Sequence, residues 1–466
     1  MTRPRAPSKT ATHADPAPAP GQPAIPNLRH LWAFCRVCET GSINRAAVEI
    51  RLSQPSISQA LVRLEADFGA DLLTRSATGV ELTRMGEILR ARTERGFEGL
   101  TRAMGGSDAP PADASPGPVD PSLLFRTSQL TVLIAVGRAG TLDGAAHALA
   151  ITEKSVGRNL RQLEERVGRR LSARDGTLLR LTQAGETISR AAKLFFRELE
   201  LAREEMAAER GQSEGRLVVG ALPLARSFIV PKAMVAIADR FPDVRLQLVE
   251  GPYPALLSGI RDGEIDVLVG ALRQPLKSED VTQHVLFSEQ LSVVARSDHP
   301  CFSRRVASLA DLLDYPWIAP RSGSPAREEF DALIAAAPSR PTVLLEAASH
   351  IAVRSVLLES DCLALISRHQ IRYEEAYGQL SVVPVDVGQA YREIGYTVHA
   401  GWKPTPLQQA FLSELRRTTE LSVADAAAAE PVAPGARASA LPAPQARSRQ
   451  PSPKTSSKLR RVVVSP

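Results

Sequence analysis

Residues 27–87 align with residues 126–186 at a constant offset of 99, without a gap. Gly41 matches Gly140, and Ala46-Ala47 matches Ala145-Ala146. Leu64-Glu65 matches Leu163-Glu164, Leu82-Thr83 matches Leu181-Thr182, and Gly86-Glu87 matches Gly185-Glu186. About 17 of 61 positions are identical, several times what chance gives. The chain therefore carries one small domain twice.

Each copy reads as helices. In the first, Leu31, Phe34, Cys35 and Cys38 recur at helical spacing until Gly41-Ser42 breaks the pattern. A short helix over 43–50 follows, and its small Ala46 and Ala47 allow another helix to cross closely. Ser53 suits an N-cap, and Pro55 is tolerated only in a first helical turn. The helix that follows runs to about Phe68, with Ile57, Leu61 and Leu64 as one apolar stripe. The segment 72–83 reads as a β-hairpin wing, and Thr83 caps another helix that reaches about Met104. Short helix, tight turn and capped helix make a helix-turn-helix, whose second helix suits a DNA major groove.

The run GSINRAAVEIRLSQPSISQALVRLEADFGADLLTR, followed by LTRMGE, resembles the DNA-binding domain of LysR-type transcriptional regulators. The likeness covers most of 27–104, recurs at 126–211 and resumes at 215–420. Its implied DNA contacts in the first copy are Ser53, Gln54, Pro55, Ser56, Ser58, Gln59, Arg63 and Arg75. Gln suits adenine and Ser suits base or phosphate. Gln59 stands where most relatives have a basic residue. In the second copy the implied set is Thr152, Glu153, Lys154, Ser155, Arg158, Arg161 and Arg174, with Arg158 standing where the first copy has Gln59. Glu153 can accept from cytosine N4, while Lys154 and Arg158 suit guanine or phosphate. Gly157 costs that helix about 1 kcal/mol relative to Ala. Two readings stay open for the second copy: a DNA contact, or a spacer that supports dimerisation.

Thr182 caps a long helix whose apolar surface comes from Ile188, Leu194, Phe195, Leu199 and Leu201. The resemblance implies that this linker helix pairs with a second subunit, so that a dimer would carry four DNA-binding domains. From 215 onward short β runs alternate with helical segments, the pattern of an α/β domain with a parallel sheet. The resemblance implies an effector-binding domain of the type 2 periplasmic-binding-protein fold, with lobe 1 at about 212–287 and 400–420 and lobe 2 at about 288–399. LSVVA, WIAP, TVLLEA, CLALIS and YTVHA are expected to form the second lobe's sheet. The implied pocket lies between the lobes, lined by Leu222, Pro223, Leu224, Arg226, Ser227, Gly251, Tyr253, Leu272 and Arg273 from the first lobe. Arg321, Ser322, Gly323, Ser324, Ser349 and His350 line it from the second. Arginines and helix N-termini favour an anionic ligand.

The organisation expected is thus a tail at 1–26, a first winged helix-turn-helix domain at 27–104, a flexible linker at 105–122, a second domain with its linker helix at 123–211, the effector domain at 212–420 and a basic tail at 421–466. Both tails are rich in Pro and Ala and are expected to be disordered. The formal charge of +6 is a property of those tails, because the body between them sums to −1. By itself it does not argue for nucleic acid. Four cysteines in 466 residues suggest a reducing compartment, and no secretory or membrane-spanning pattern is expected. Cys35-x-x-Cys38 lies on an apolar helix face, which favours a core role. The expected partners are double-stranded DNA, a small-molecule effector, a second copy in a dimer or tetramer, and RNA polymerase. No cofactor, metal or catalytic group is implied, and the expected location is the cytoplasm. The alternatives are an architectural DNA-binding protein without a ligand and an enzyme with a binding-protein-like lobe. For the second, the sequence offers no convergent catalytic groups.

Overall fold

The computed structural model describes residues 25–76, 79–105, 120–273, 279–304, 306, 308–388 and 390–428. The tail expectations for 1–24 and 429–466, and the linker expectation for 106–119, lie outside the described residues. Three edges of those segments are ordered, contrary to expectation. The Pro26 carbonyl accepts the Thr127 hydroxyl at 2.9 Å. A helical turn, Pro121–Leu124, occupies the end of the expected linker. The C-terminal helix runs to Ala428, past the point where a tail was expected.

The first copy comprises α1 (Leu28–Thr40), α2 (Ile43–Glu49), α3 (Gln54–Phe68), β1 (Leu73–Ser76), β2 (Gly79–Leu82) and α4 (Arg84–Met104). After α5 (Pro121–Leu124), the second comprises α6 (Thr127–Ala139), α7 (Leu142–Leu149), α8 (Glu153–Val167), β3 (Ser172–Asp175), β4 (Leu178–Leu181) and α9 (Gln183–Glu209). Residues shared by the copies hold the scaffold. The Glu65 carboxylate accepts the Leu72 N–H at 3.1 Å, and Glu164 accepts the Leu171 N–H at 2.8 Å. The Thr83 hydroxyl donates to the Asp71 carbonyl, and Thr182 donates likewise to Arg170. Gly86 and Gly185 each bring a helix so close to a backbone carbonyl that a Cβ would stand 2.1 and 2.0 Å from it.

The expected pairing of the linker helix changes. Within this one chain, α9 packs antiparallel against α4: Arg84 meets Glu209 near one end, and Arg95 meets Glu198 farther along. The apolar stripe expected to meet a second subunit buries Phe195 and Leu199 in a core shared by both copies. Phe97 packs edgewise on Trp32 at 5.3 Å and against Phe195 at 4.8 Å. A lone copy would leave this surface in water, and burying a large apolar side chain contributes roughly 1.5–3 kcal/mol.

The remaining elements are β5 (Arg216–Ala221), α10 (Pro223–Ser227), α11 (Ile229–Arg240), β6 (Arg245–Glu250), α12 (Tyr253–Arg261), β7 (Val267–Ala271), β8 (Val281–Arg296), β9 (Trp317–Pro320), α13 (Pro325–Ala335), β10 (Val343–Ala347), α14 (His350–Glu359), β11 (Leu363–Ser367), α15 (Arg372–Ala376), β12 (Leu380–Val382), β13 (Tyr391–His399) and α16 (Pro406–Ala428). Among the described residues their strands run β10-β9-β11-β8-β13-β7-β5-β6, with β12 beside β8. The long β8 belongs to both lobes. Strand β13 pairs with β7 over Ile394–Thr397, and Ile394, Tyr396 and Val398 lie in the first lobe's core. The chain therefore returns to lobe 1 within β13, before residue 400, and YTVHA is part of the first lobe. Alternation alone does not tell which sheet a half-buried strand joins.

Candidate nucleic-acid interface and effector cleft

Both reading helices begin on a side-chain cap. Ser53 Oγ accepts the Ser56 N–H at 3.3 Å, and Thr152 Oγ1 accepts the Ser155 N–H at 3.3 Å. Ile57, Leu61 and Leu64 face inward, as do Val156, Leu160 and Leu163. This leaves Ser53, Gln54, Pro55, Ser56, Gln59 and Arg63 exposed, with Ser58 half-buried. On α8, Thr152, Glu153, Lys154, Arg158 and Arg161 are exposed and Ser155 is half-buried. Gln54 Nε2 donates to Ser58 Oγ at 3.3 Å, and Arg161 Nε donates to the Gly157 carbonyl at 3.2 Å. Arg75 lies in β1 opposite Val80, and Arg174 lies exposed at the equivalent place in β3.

The linker helices are joined to the effector domain by groups the sequence reading did not single out. Arg92 on α4 is 1% exposed. It donates to both Glu205 oxygens, to Glu198 at 3.0 Å, and to the Lys403 carbonyl at 3.0 Å. One guanidinium thus ties α4, α9 and the loop before α16 together. Arg197 on α9 donates to Asp266 Oδ1 at 3.0 Å and to Glu204 at 2.8 Å. Asp266 in turn accepts the Val218 N–H at 2.8 Å and Gln408 Nε2 at 3.1 Å. Lys193 reaches Asp262 at 2.8 Å. A signal was present in the sequence: Arg92 and Arg95 share one face of α4, and Glu198 and Glu205 share one face of α9.

On lobe 1, Leu222, Pro223, Arg226 and Ser227 lie half-buried at and within α10, and Gly251 and Tyr253 lie half-buried beside and at the start of α12. Leu224 and Leu272 are buried at 5% and 6%, so they are core residues and do not line the cleft as expected. Arg226 is engaged by Glu250 at 3.0 Å. The Arg273 guanidinium lies over the Tyr253 ring at 4.6 Å and donates to the Gly323 carbonyl at 2.7 Å, which bridges the lobes. From lobe 2, Arg321 and Ser322 are exposed. The Ser322 N–H and hydroxyl both donate to Glu346 at 3.0 Å, so a carboxylate of the chain itself occupies these donors. Ser324 and Ser349 cap α13 and α14. His350 Nδ1 is shielded from water and makes no hydrogen bond among the described residues. Burial holds the His350 pKa below the ordinary histidine value, and nearby Arg226 and Arg354 act in the same direction against Glu374. A separate cavity of about 520 Å³ lies away from the cleft, where His284 stacks on Tyr396 at 4.8 Å and Arg416 donates to the Tyr396 hydroxyl.

Cys35 is buried and Cys38 half-buried in the first copy's core, where burial pushes the Cys38 thiol up to about 12. This fits a packing role.

Two capped, exposed reading helices on paired linker helices, joined to a two-lobed α/β domain, define a DNA-binding regulator with a ligand-sensing module. The family model described as "Bacterial regulatory helix-turn-helix protein, lysR family" matches residues 28–87 and again 127–186. The model described as "LysR substrate binding domain" matches residues 210–420. The chain belongs to the LysR family of transcriptional regulators. It is 32% identical over 394 residues to the HTH-type transcriptional regulator GalR of Pseudomonas putida, covering 84% of this chain and 97% of that one. A match of that length is too long for the second copy and effector domain alone, so it reaches into the first copy. The chain is 30% identical over 290 residues to the HTH-type transcriptional regulator PcaQ of Agrobacterium fabrum, covering 62% of this chain and 92% of the relative. The fold is also that of a full-length OxyR variant from Pseudomonas aeruginosa (TM-score 0.50, 22% identity, 63% of this chain and 94% of that one). No described helix is long and apolar enough to cross a membrane.

Proposed function

We propose that this regulator touches double-stranded DNA with both copies, through α3 and the first wing and through α8 and the second. Under this proposal, a small anionic effector bound between the lobes governs that contact in the cytoplasm, without substrate turnover. A second copy of the chain and RNA polymerase complete the assembly. The observation that carries the proposal is the Arg92 junction, where one buried guanidinium is bonded to both linker helices and to the Lys403 carbonyl of the effector domain. An effector that changes the lobe arrangement moves this junction, and it does so only by binding one arrangement better than the other. The unpartnered Nδ1 of His350, near Arg226, supports an effector that is held by hydrogen bonding as well as charge.

The test is a footprint on the DNA flanking the protein's own gene, comparing the wild type with a variant carrying Lys154→Ala, Arg158→Ala and Arg161→Ala. The proposal expects a shorter footprint whose remaining part persists. An unchanged footprint overturns the role given to the second copy and leaves it a spacer. A thermal-shift screen of small carboxylates tests the effector, because a true ligand raises the unfolding temperature by mass action. Screening Arg273→Ala beside the wild type checks that the response arises in the cleft.

A further inference from the structure

The two copies differ where they meet as well as where they face outward. Gly96 of α4 and Phe195 of α9 are the same position of the repeat, and they lie against each other: a Cβ built on Gly96 would stand 1.9 Å from the Phe195 ring. Leu28 and Thr127 are also one position of the repeat, and the Leu28 N–H donates to Thr127 Oγ1 at 3.3 Å. Contacts between equivalent positions mark a local twofold axis relating the copies.

On such an axis, a pair of like helices sets a residue against itself. Two α9 helices would oppose Phe195 with Phe195, where the present packing accepts no side chain at all. Two α4 helices would oppose Gly96 with Gly96 and leave a void where the ring now sits, which destabilises a core. Charge repeats the preference. Arg92 and Arg95 on α4 bond Glu198 and Glu205 on α9. The equivalents of the two arginines in the second copy are Ala191 and Leu194, and the equivalent of Glu198 in the first is Gly99. Neither pair of like helices keeps these ion pairs. The stable pair takes one helix from each copy, and each chain supplies one of each.

We infer that the two copies within each chain form one two-headed reading unit, and that the DNA site of this unit joins two unlike elements instead of repeating one element in inverted order. The inference rests on the proposal that both α3 and α8 touch DNA. Beneath α3, Gln54 and its neighbouring serines recognise an element with adenine. Beneath α8, Lys154 and Arg158 recognise guanine, and Glu153 accepts from the cytosine amino group of a G·C pair. The identities shared between the copies hold the scaffold, as the Glu65 and Glu164 bonds show. At the start of each helix, positions 54, 55, 58 and 59 differ from 153, 154, 157 and 158, while Ser56 and Ser155 are alike.

Selection of bound duplexes from a random pool tests the inference, using the full chain and a variant carrying E153Q, K154P, G157S and R158Q. These substitutions give α8 the residues of α3 at the four positions, with the proline in a first turn where it is tolerated. The wild type is expected to enrich a motif of two unlike elements, one containing adenine contacts and one a G·C pair. The variant's second element is expected to turn into an inverted copy of the first. A wild-type motif in which one element alone recurs in inverted order, or a variant motif identical to the wild-type motif, overturns the inference. Circular dichroism checks that the variant folds, and if it does not, the symmetry of the wild-type motif decides alone. If the wild type enriches no sequence, sequence-specific DNA binding itself fails, which is a distinct result and removes the inference with it.

Discussion

The capped helix of the first copy opens with neutral side chains and that of the second with charged ones, yet the two are built on the same internal bonds. Glu65 and Glu164 tie the wing to the reading helix in the same way, and Thr83 and Thr182 fasten the linker helices in the same way. The divergence that bears on reading and pairing lies on two surfaces: the outward start of α3 and α8, and the axis where α4 meets α9. The comparison teaches that duplication relieves each copy of having to pair with itself. A symmetric dimer must accept the same residue on both sides of its axis. A tandem pair can place Gly96 on one side and Phe195 on the other, and so specify its partner by shape.

The largest effect that would break this comparison is expected at the axis. Phe195→Ala removes a fully buried ring and should destabilise the paired domains by about 3–5 kcal/mol, read by chemical denaturation followed through helix content. Arg92→Ala leaves the Glu198 and Glu205 carboxylates, each about one-fifth exposed, without their shared partner. A loss of about 2 kcal/mol is expected, below the range of about 3–5 kcal/mol for broken buried pairs because water reaches the acids. Its sharper signature is a weaker coupling between effector and DNA, measured as the ratio of DNA affinities with and without effector.

Replacing Lys154, Arg158 and Arg161 by Ala should flatten the dependence of log affinity on log salt by roughly 0.9 for each DNA phosphate that the protein no longer neutralises. Gln59→Arg should steepen it by about one such step, which makes the first copy more like the second. Both follow from titrations at several salt concentrations.

The two halves of the chain should also part company in acid. His299, His350, His369 and His399, all in the effector domain, have pKa values held below the ordinary histidine value of 6.5, with burial as the largest cause. His299 adds a geometric reason, because its Nδ1 accepts the Cys301 N–H and so must stay unprotonated. The folded state favours the neutral rings, so their contribution is present above the unfolded pKa and is lost as pH falls through and below 6.5. The unfolding temperature of the effector domain should therefore drop between pH 7 and pH 5 by more than that of the paired DNA-binding domains. Calorimetry at the two pH values resolves this.

Much of the reading surface was legible in sequence, because caps, apolar stripes and turn residues are local. Ser53, Thr152 and the stripe of Ile57, Leu61 and Leu64 do in the structure what their spacing implies. The partner of α9 was not legible, since an apolar helix face records that it is buried but not against what. Gly96 offered a clue, because an interior helical glycine costs about 1 kcal/mol relative to Ala and so calls for a packing reason. The two lobes were legible as units, but the environments of their facing side chains were not. Leu224 and Leu272 point into the core, and Glu250 and Glu346 occupy donors that a sequence shows only as charges scattered along the chain.

The pairing of α4 with α9 inside one chain is tested most directly by complementation at the axis. Gly96→Phe and Phe195→Gly are made singly, mixed after co-refolding, and combined in one chain, with DNA affinity and thermal unfolding as readouts. Pairing within the chain predicts that each single variant is impaired, that the mixture stays impaired, and that the double variant recovers because ring and hollow have changed sides. Recovery in the mixture of single variants would contradict it, since the two helices would then be meeting across separate chains.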